Sequence, residues 1–228
     1  MTLARLVVVL AILAVPVRAG AQVFPGRDTP RAGSWEASGG VTWTDGFTGA
    51  ERPAELTRNG ETSGGFDLFT SEGEIANGAG VGARLGFYVS RSIAVEGGLR
   101  FSKPRLSYRL SGDAEEASPV TAEETLTRYV FTGSLVMHLR QATATRRLIP
   151  FLAAGAGYIR DLHEGAELVE TGTEYHLGGG VKYWFGAART RFGFRGDVGM
   201  SITDGGFDLR TDSSRTLPVA SASLVVLF

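Results

Sequence analysis

The chain contains no cysteine among its 228 residues. This absence excludes a disulfide-stapled scaffold, a thiolate metal site and a cysteine nucleophile. Neither sign of charge is in excess, because 23 Lys and Arg against 24 Asp and Glu give a formal net charge of −1. A balanced chain has no electrostatic footprint for nucleic acid. A hydrophobic fraction of 43% also argues against intrinsic disorder.

Glycine is abundant, with 32 residues, about twice the number expected from an average usage of about 7%. The glycines follow no G-X-Y period, which excludes a collagen-like chain. The excess therefore needs another structural explanation, and the spacing of the glycines supplies one below.

The only long apolar run lies at the N-terminus, from Leu6 to Val17. It follows a short basic segment and precedes Ala19 and Ala21, small residues spaced as in a signal cleavage site. A membrane-spanning helix needs about 20 apolar residues, and Arg18 ends this run too early. We expect residues 1–21 to be a secretory signal peptide, 22–32 a lead-in, and 33–228 the folded domain.

From residue 33 onward, apolar residues recur with a period of two. Between Ala79 and Val89 every odd position is apolar, and the even positions carry glycine, Arg84 or Tyr88. This period is typical of strands with one apolar face. It predicts eight strands, each at least as long as the about 9–11 residues of a transmembrane strand. They are expected at 33–44, 77–89, 92–104, 125–139, 149–162, 174–186, 190–203 and 215–228.

The predicted connections alternate in length. Short turns alternate with four long polar loops at 45–76, 105–124, 163–173 and 204–214, which is the layout of an outer-membrane barrel. The alternation of Leu106, Tyr108 and Leu110 suggests that the first two long loops extend their strands beyond the membrane. Backbone groups in hydrocarbon must all be paired, so such a sheet has to close on itself. The fold class is therefore all-β, an eight-stranded antiparallel up-and-down transmembrane β-barrel.

Charged residues fall on the glycine-bearing face of these strands, which would line the barrel interior. Eight strands leave a lumen that side chains just fill, and unpaired charges there would cost several kcal/mol each. We therefore predict an internal salt-bridge network in which Glu96 and Asp197 are shared among the basic groups; a polar lining for an ion path is the alternative. Its members are Arg84, Glu96, Arg100, Arg128, Lys182, Arg195 and Asp197.

The last predicted strand alternates to a terminal phenylalanine, through Ala220, Ala222, Leu224, Val226 and Phe228. This end is similar to the signal read by the outer-membrane assembly machinery. With the signal peptide, the eight segments and the stretch from Pro150 to Tyr158, the chain resembles the small outer-membrane β-barrel family, OmpA-like or opacity-type. The resemblance implies insertion into a Gram-negative outer membrane and surface-exposed loops. The sequence departs from the OmpA-like pattern in one respect, because we expect no C-terminal peptidoglycan-binding domain after the barrel.

Aromatic residues near the predicted strand ends are expected to form the two interfacial girdles of such a barrel. Ordinary β-propensity is the alternative explanation for their placement. The residues are Trp35, Trp43, Tyr88, Phe101, Tyr129, Tyr175, Phe185 and Phe192.

The three histidines, His138, His163 and His176, suggest no catalytic site. Outer-membrane lipases and deacylases place His and Ser on neighbouring inward positions, but Gly178 occupies the same-face position after His176, and no nucleophile with a base is evident. Acidic residues crowd the second long loop, but their spacing matches no defined calcium loop; they are Asp113, Glu115, Glu116, Glu123 and Glu124. No catalytic, cofactor or metal residue is predicted.

The leading hypothesis is a non-enzymatic outer-membrane barrel, expected as a monomer, whose loops mediate adhesion or membrane integrity. Its expected partners are outer-membrane lipid, lipopolysaccharide and the barrel-assembly machinery, with no nucleic acid. A narrow porin-like channel and, less favoured, a lipid-active enzyme are the alternatives. A secreted lipocalin-like binder is the competing fold, because Gly33 to Trp35 has the Gly-x-Trp form of a lipocalin first strand.

Overall fold

The structure is a computed structural model, which describes residues 30–49, 52–56, 66–112, 118–139, 147–163, 168–185, 191–205 and 214–228. The expected signal peptide, residues 1–21, lies outside the described residues, as does most of the lead-in. Within the described ranges, no helix is long and apolar enough to cross a membrane.

Eight strands form a closed antiparallel barrel, which confirms the predicted fold class. Around the wall the order is β1, β13, β12, β11, β10, β9, β6, β5 and back to β1. The barrel strands are β1 (Trp35–Thr44), β5 (Gly78–Tyr88), β6 (Ile93–Ser102), β9 (Thr127–His138), β10 (Leu148–Leu162), β11 (Val169–Phe185), β12 (Arg191–Gly205) and β13 (Arg215–Leu227).

Because apolar residues recur with a period of two, they all lie on one face of the barrel wall, and the residues between them lie on the other. Outward side chains are apolar and exposed, as for Leu177 at 67% and Val198 at 68%. Inward side chains are glycine, small, charged or buried, as for Val136 and Val225 at 0%. An apolar outer band of this extent is stable only against hydrocarbon.

The first two long loops, predicted as 45–76 and 105–124, contain strands instead of irregular chain. Five strands form a second antiparallel sheet at the long-loop end: β2 (Phe47–Thr48), β3 (Arg52–Leu56), β4 (Phe66–Ile75), β7 (Arg105–Ser111) and β8 (Val120–Thr125). We call it the rim sheet. The alternation at Leu106, Tyr108 and Leu110 indicated this extension, but Lys103 and Pro104 interrupt the chain between β6 and β7. Buried Ile75, Leu106 and Leu126 pack together at the base of the sheet.

The aromatic residues divide between the two faces. Trp35 and Phe87 contact each other on the outer surface, with ring centroids 5.0 Å apart, and Phe101 contacts Tyr129 at 5.2 Å. Tyr88, which we expected in a girdle, instead points inward and is 1% exposed. Its even position in the strand places it on the lumen face with the glycines.

The short-turn end of the lumen is filled by an apolar cluster, which we call the floor. Each member comes from a strand end that adjoins a short turn or a chain terminus. Because most of these side chains are large and all are almost completely buried, they close the lumen at this end. The floor consists of Tyr88, Ala94, Val136, Ile149, Phe151, Trp184, Val225 and Leu227.

Candidate functional site

The lowest charged group in the lumen is an ion pair directly above the floor. Lys182 Nζ lies 2.6 Å from Glu36 Oε1, and both side chains are almost completely buried. The hydroxyl of Tyr88 donates a 2.7 Å hydrogen bond to Glu36 Oε2. His138 Nε2 lies 3.2 Å from the same hydroxyl. This arrangement compensates a buried ammonium with a carboxylate and satisfies both oxygens of that carboxylate.

Two arginines and two carboxylates form the next cluster. Arg195 Nη1 lies 2.5 Å from Glu96 Oε2, and Arg195 Nε lies 3.2 Å from Asp197 Oδ2. Arg84 contacts the same two acids, at 3.7 Å from Glu96 and 3.3 Å from Asp197. The Ser221 hydroxyl donates to Asp197 at 2.8 Å. Equal numbers of cations and anions neutralise the middle of the lumen.

A small cavity of about 80 Å³ lies beside this cluster, lined in part by Arg84, Arg100, Ser134 and His176. The Oγ of Ser134 lies 2.9 Å from Nε2 of His176. The sequence pattern of a serine two positions along the same strand did not predict this contact, because Ser134 lies on β9 and His176 on β11, with β10 between them. Only the strand register could have revealed it, because both residues face Gly155 of β10.

The Ser134–His176 pair lacks the third member of a hydrolytic triad. Glu174 Oε1 is 3.7 Å from His176 Nδ1, and both its oxygens bind Arg100 Nη2. A base in a triad must instead be oriented by a direct hydrogen bond to the carboxylate. The two side chains make a polar contact over the backbone of β10.

Two further ion pairs continue towards the rim. Arg100 binds Glu174, and Arg128 binds Asp161 through two 2.8 Å hydrogen bonds. Asp161 is completely buried. Above them Arg215 stacks over the ring of Phe47 at 5.0 Å. Charged and apolar groups thus fill the lumen in successive levels from the floor to the rim sheet.

All seven charged residues singled out from the sequence lie on the inward face, but the pairing differs from the prediction. Arg84 and Arg195 are the two basic groups that contact both Glu96 and Asp197 among the residues that the structure describes. Arg100, Arg128 and Lys182 bind Glu174, Asp161 and Glu36 instead. These three acids were not among the predicted members, because Glu36 and Asp161 lie near strand ends and Glu174 was expected to be the first residue of its strand, which in fact begins at Val169. In the sequence, only the parity of their positions, which is that of the inward residues of the same strands, indicated that these acids face the lumen.

The C-terminal strand has the alternation predicted from the sequence. Ala220, Ala222, Leu224, Val226 and Phe228 share the outward parity, and Leu224 is 67% exposed. Trp35 and Phe228 exchange two backbone hydrogen bonds of 2.9 Å. The C-terminal residues thus close the barrel against β1.

A metal centre finds no support in the part of the chain that the structure describes, where no group of three or more His, Asp or Glu has metal-binding geometry. Asp113, Glu115 and Glu116 lie outside the described residues, whereas Glu123 and Glu124 lie on β8.

Comparisons with known proteins agree with the fold. No family model matches the sequence, and no curated protein matches it. Among solved structures, the outer membrane protein OprG from Pseudomonas aeruginosa is similar with a TM-score of 0.52 and 11% identity, over 89% of this chain and 99% of that one. Neisserial surface protein A is similar over 87% of this chain and 97% of that one, with 12% identity and a TM-score of 0.43. At such low identity the likeness concerns architecture alone. The chain has the fold of a small eight-stranded outer-membrane β-barrel.

Proposed function

We propose that this protein resides in the outer membrane of a Gram-negative bacterium and works without catalysis, with its rim sheet used for surface contact or membrane integrity. The observation that carries the proposal is the contrast between the two ends of the barrel. The lumen is filled, while the long-loop end continues into an ordered five-stranded sheet.

The filled lumen favours a structural role over conduction. The floor closes one end with Tyr88, Phe151 and Trp184, and above it Arg195 packs 4.5 Å from the centroid of the Phe151 ring. Opening a path would break buried ion pairs, each of which costs several kcal/mol when one partner is left alone. We therefore expect no steady ion flow.

The rim sheet offers surface chemistry suited to contacts outside the membrane. The face that carries the buried Ile75 and Leu106 also exposes three large apolar side chains, Phe69, Leu110 and Val120. The opposite face carries an exposed ion pair in which Arg105 Nε lies 3.7 Å from Glu123 Oε2. Binding residues concentrate on such peripheral segments, held by a rigid scaffold.

Single-channel recording in planar bilayers tests the proposal. Folded protein, identified by heat-modifiable migration in detergent gels, should produce no conductance steps. The alternative of a narrow channel is favoured by the polar cavity beside Ser134 and His176. Reproducible steps that disappear on boiling would replace the proposal with that alternative.

The non-enzymatic part of the proposal has its own test. A fluorophosphonate probe labels serines activated by a base. We expect no labelling of the folded barrel, as for a Ser134→Ala control. Labelling of the wild-type chain that is lost in Ser134→Ala and in His176→Ala would show an active nucleophile and overturn this part.

Outer-membrane lipid, lipopolysaccharide and the barrel-assembly machinery are the partners we propose. The outward alternation from Ala220 to Phe228 supports recognition by that machinery. Deleting Phe228 also removes the two hydrogen bonds to Trp35. The matched substitution Phe228→Ala keeps those bonds, so a loss of assembly in cells, with unimpaired refolding in detergent, would support recognition of the side chain. Normal assembly of Phe228→Ala would contradict it.

A further inference from the structure

Arg160 interrupts the apolar pattern of the lipid-facing wall. The outward positions of β10 are apolar or aromatic from Leu148 to Tyr158, and the next position on that face carries the exposed side chain of Arg160. Among the described residues of the eight barrel strands, it is the one basic side chain on the outward face. Charges on this face are costly near the bilayer midplane and tolerated near its surface, so Arg160 marks the outer edge of the hydrocarbon band.

A second cation lies at the same edge of the wall. Lys103 directly follows β6, and its side chain is exposed, whereas the next residue, Pro104, is buried. The carbonyl of Pro104 accepts a 3.0 Å hydrogen bond from the N–H of Leu126, so this segment stays paired with the chain that enters β9. Lys103 therefore has the outward parity of Phe101 and continues that face of β6.

Tyr129 lies between the two cations. It is the register partner of Phe101 on β6 and of Arg160 on β10. Two strand spacings of about 4.8 Å, and two residues of about 3.4 Å each, place the Cα atoms of Lys103 and Arg160 roughly 12 Å apart. Both side chains are long, so they can reach one phosphate from opposite sides. The tyrosine between them adds an interfacial ring with a polar tip.

Both cations are available to a ligand. Neither side chain has an ion pair or a hydrogen bond with another residue that the structure describes. Arg105, the next basic residue along the chain, is instead bound to Glu123. On the outward face of the described barrel strands the one acid is Asp204 on β12, two strands away from β10. Two positive charges without a protein partner therefore face the level of the lipid headgroups.

We propose that Lys103 and Arg160 bind the phosphorylated lipid anchor of lipopolysaccharide on the outer wall of the barrel. The inference rests on the proposed outer-membrane location, because there the long-loop end faces the leaflet that carries this glycolipid. Arginine binds a phosphate through paired N–H groups and lysine binds it as a point charge. Below the two cations, the exposed Leu99, Phe131 and Tyr158 form one row of the wall, against which acyl chains pack.

Native mass spectrometry of the full chain, refolded in a neutral detergent, tests the site. The probes are lipid A, which is the anchor of lipopolysaccharide, the same lipid without its phosphates, and phosphatidylglycerol. We expect phosphorylated lipid A to bind about tenfold more tightly than either other probe, because hydrogen bonds between charged groups supply a difference of this size. Equal binding of the dephosphorylated lipid overturns the proposal. Equal binding of phosphatidylglycerol overturns the assignment to lipopolysaccharide.

Substitution locates the site on the wall. The double variant Lys103→Gln with Arg160→Gln should bind phosphorylated lipid A about tenfold more weakly. Arg109→Gln is the matched control, since it removes an exposed positive charge of the rim sheet that lies farther from the membrane, and it should bind like the wild type. Heat-modifiable migration verifies that each variant is folded. A double variant that binds as tightly as the wild type, or an equal loss in Arg109→Gln, contradicts the site.

Planar-bilayer recording of the same samples separates this inference from the proposed function. A folded wild type that shows no preference for phosphorylated lipid A and no conductance steps refutes the lipid site alone. Conductance steps in a wild type that keeps this preference overturn the proposed function and support the site.

Discussion

Ser134 Oγ and His176 Nε2 meet at 2.9 Å directly over the backbone of Gly155. Gly155 is the register partner of both residues, one on each neighbouring strand. A Cβ at this position would lie 2.8 Å from His176 Nε2 and 2.1 Å from the carbonyl oxygen of Gly133. The inward glycine therefore provides the space in which side chains from two other strands make contact.

Replacing this glycine should destabilise the barrel. We expect Gly155→Ala to lower the free energy of unfolding by about 1–3 kcal/mol, because a forced close contact requires the backbone to shift. Urea unfolding in lipid vesicles measures it. Gly133→Ala is the matched control, since a Cβ there meets no atom within 4 Å, and it should change stability by less than about 0.5 kcal/mol. Equal effects of the two substitutions would refute this role of Gly155.

The Arg128–Asp161 pair should contribute far more to stability than an exposed pair. Asp161→Asn leaves the Arg128 guanidinium without its buried counter-charge, and breaking such a pair costs about 3–5 kcal/mol. Glu123→Gln breaks the exposed pair with Arg105 and should cost about 0–1 kcal/mol. The same urea titration compares them. A smaller loss for Asp161→Asn than for Glu123→Gln would mean that Arg128 finds another partner.

Lys182 and Glu36 should be energetically coupled. Lys182→Met leaves the buried Glu36 carboxylate without its counter-charge, and Glu36→Gln leaves the Lys182 ammonium without its own. The double variant leaves no unpaired charge at this contact. A double-mutant cycle should therefore give a coupling free energy of about 0.5–3 kcal/mol. Additive effects, with a coupling near zero, would contradict the direct 2.6 Å contact.

The rim sheet should lose stability in strong alkali. Burial, followed by the charges of Glu124 and Glu170, raises the pKa of Tyr108 from 10.0 to about 12. Since the folded state holds the proton more tightly, its stabilising contribution is complete below about pH 10 and is lost as the pH rises through about 12. The ultraviolet difference spectrum between wild type and Tyr108→Phe isolates this phenol.

Glu124→Gln removes one of the two negative charges that raise the pKa of Tyr108, so the phenol should lose its proton at a lower pH in this variant. A phenolate signal that appears near the ordinary tyrosine value in the wild type would show that Tyr108 is not shielded in the folded sheet.

Most of what could be predicted from the sequence came from strand parity, which is the alternation of odd and even positions between the two faces of a strand. The period of two assigned all seven interior charges to the correct face, because adjacent side chains in a strand point to opposite sides. The prediction that Tyr88 belongs to an interfacial girdle was wrong, because it followed from the residue type and not from the parity of the position. An aromatic residue near a strand end suggests an interface, but its even position required it to join the floor.

Pairing and long-range contacts could not be predicted, because they depend on register. Glu174 binds Arg100 from a strand far away in sequence, and no local pattern specifies which strands face each other across the lumen. The rim sheet could not be predicted from the sequence for a related reason. Its strands are short and rich in polar residues, so their hydrophobic alternation is faint except at Leu106, Tyr108 and Leu110.

The pairing of β1 with β13 has a consequence for how the molecule is made. The first and last strands of the barrel are neighbours, and Trp35 bonds to Phe228 in both directions. The ring cannot close until the final strand is available, so a partly folded chain keeps two open sheet edges, which are able to pair with other chains. Contacts so distant in sequence form slowly. The wall therefore becomes a closed ring, with every barrel strand paired on both sides, only when the last strand has joined the first.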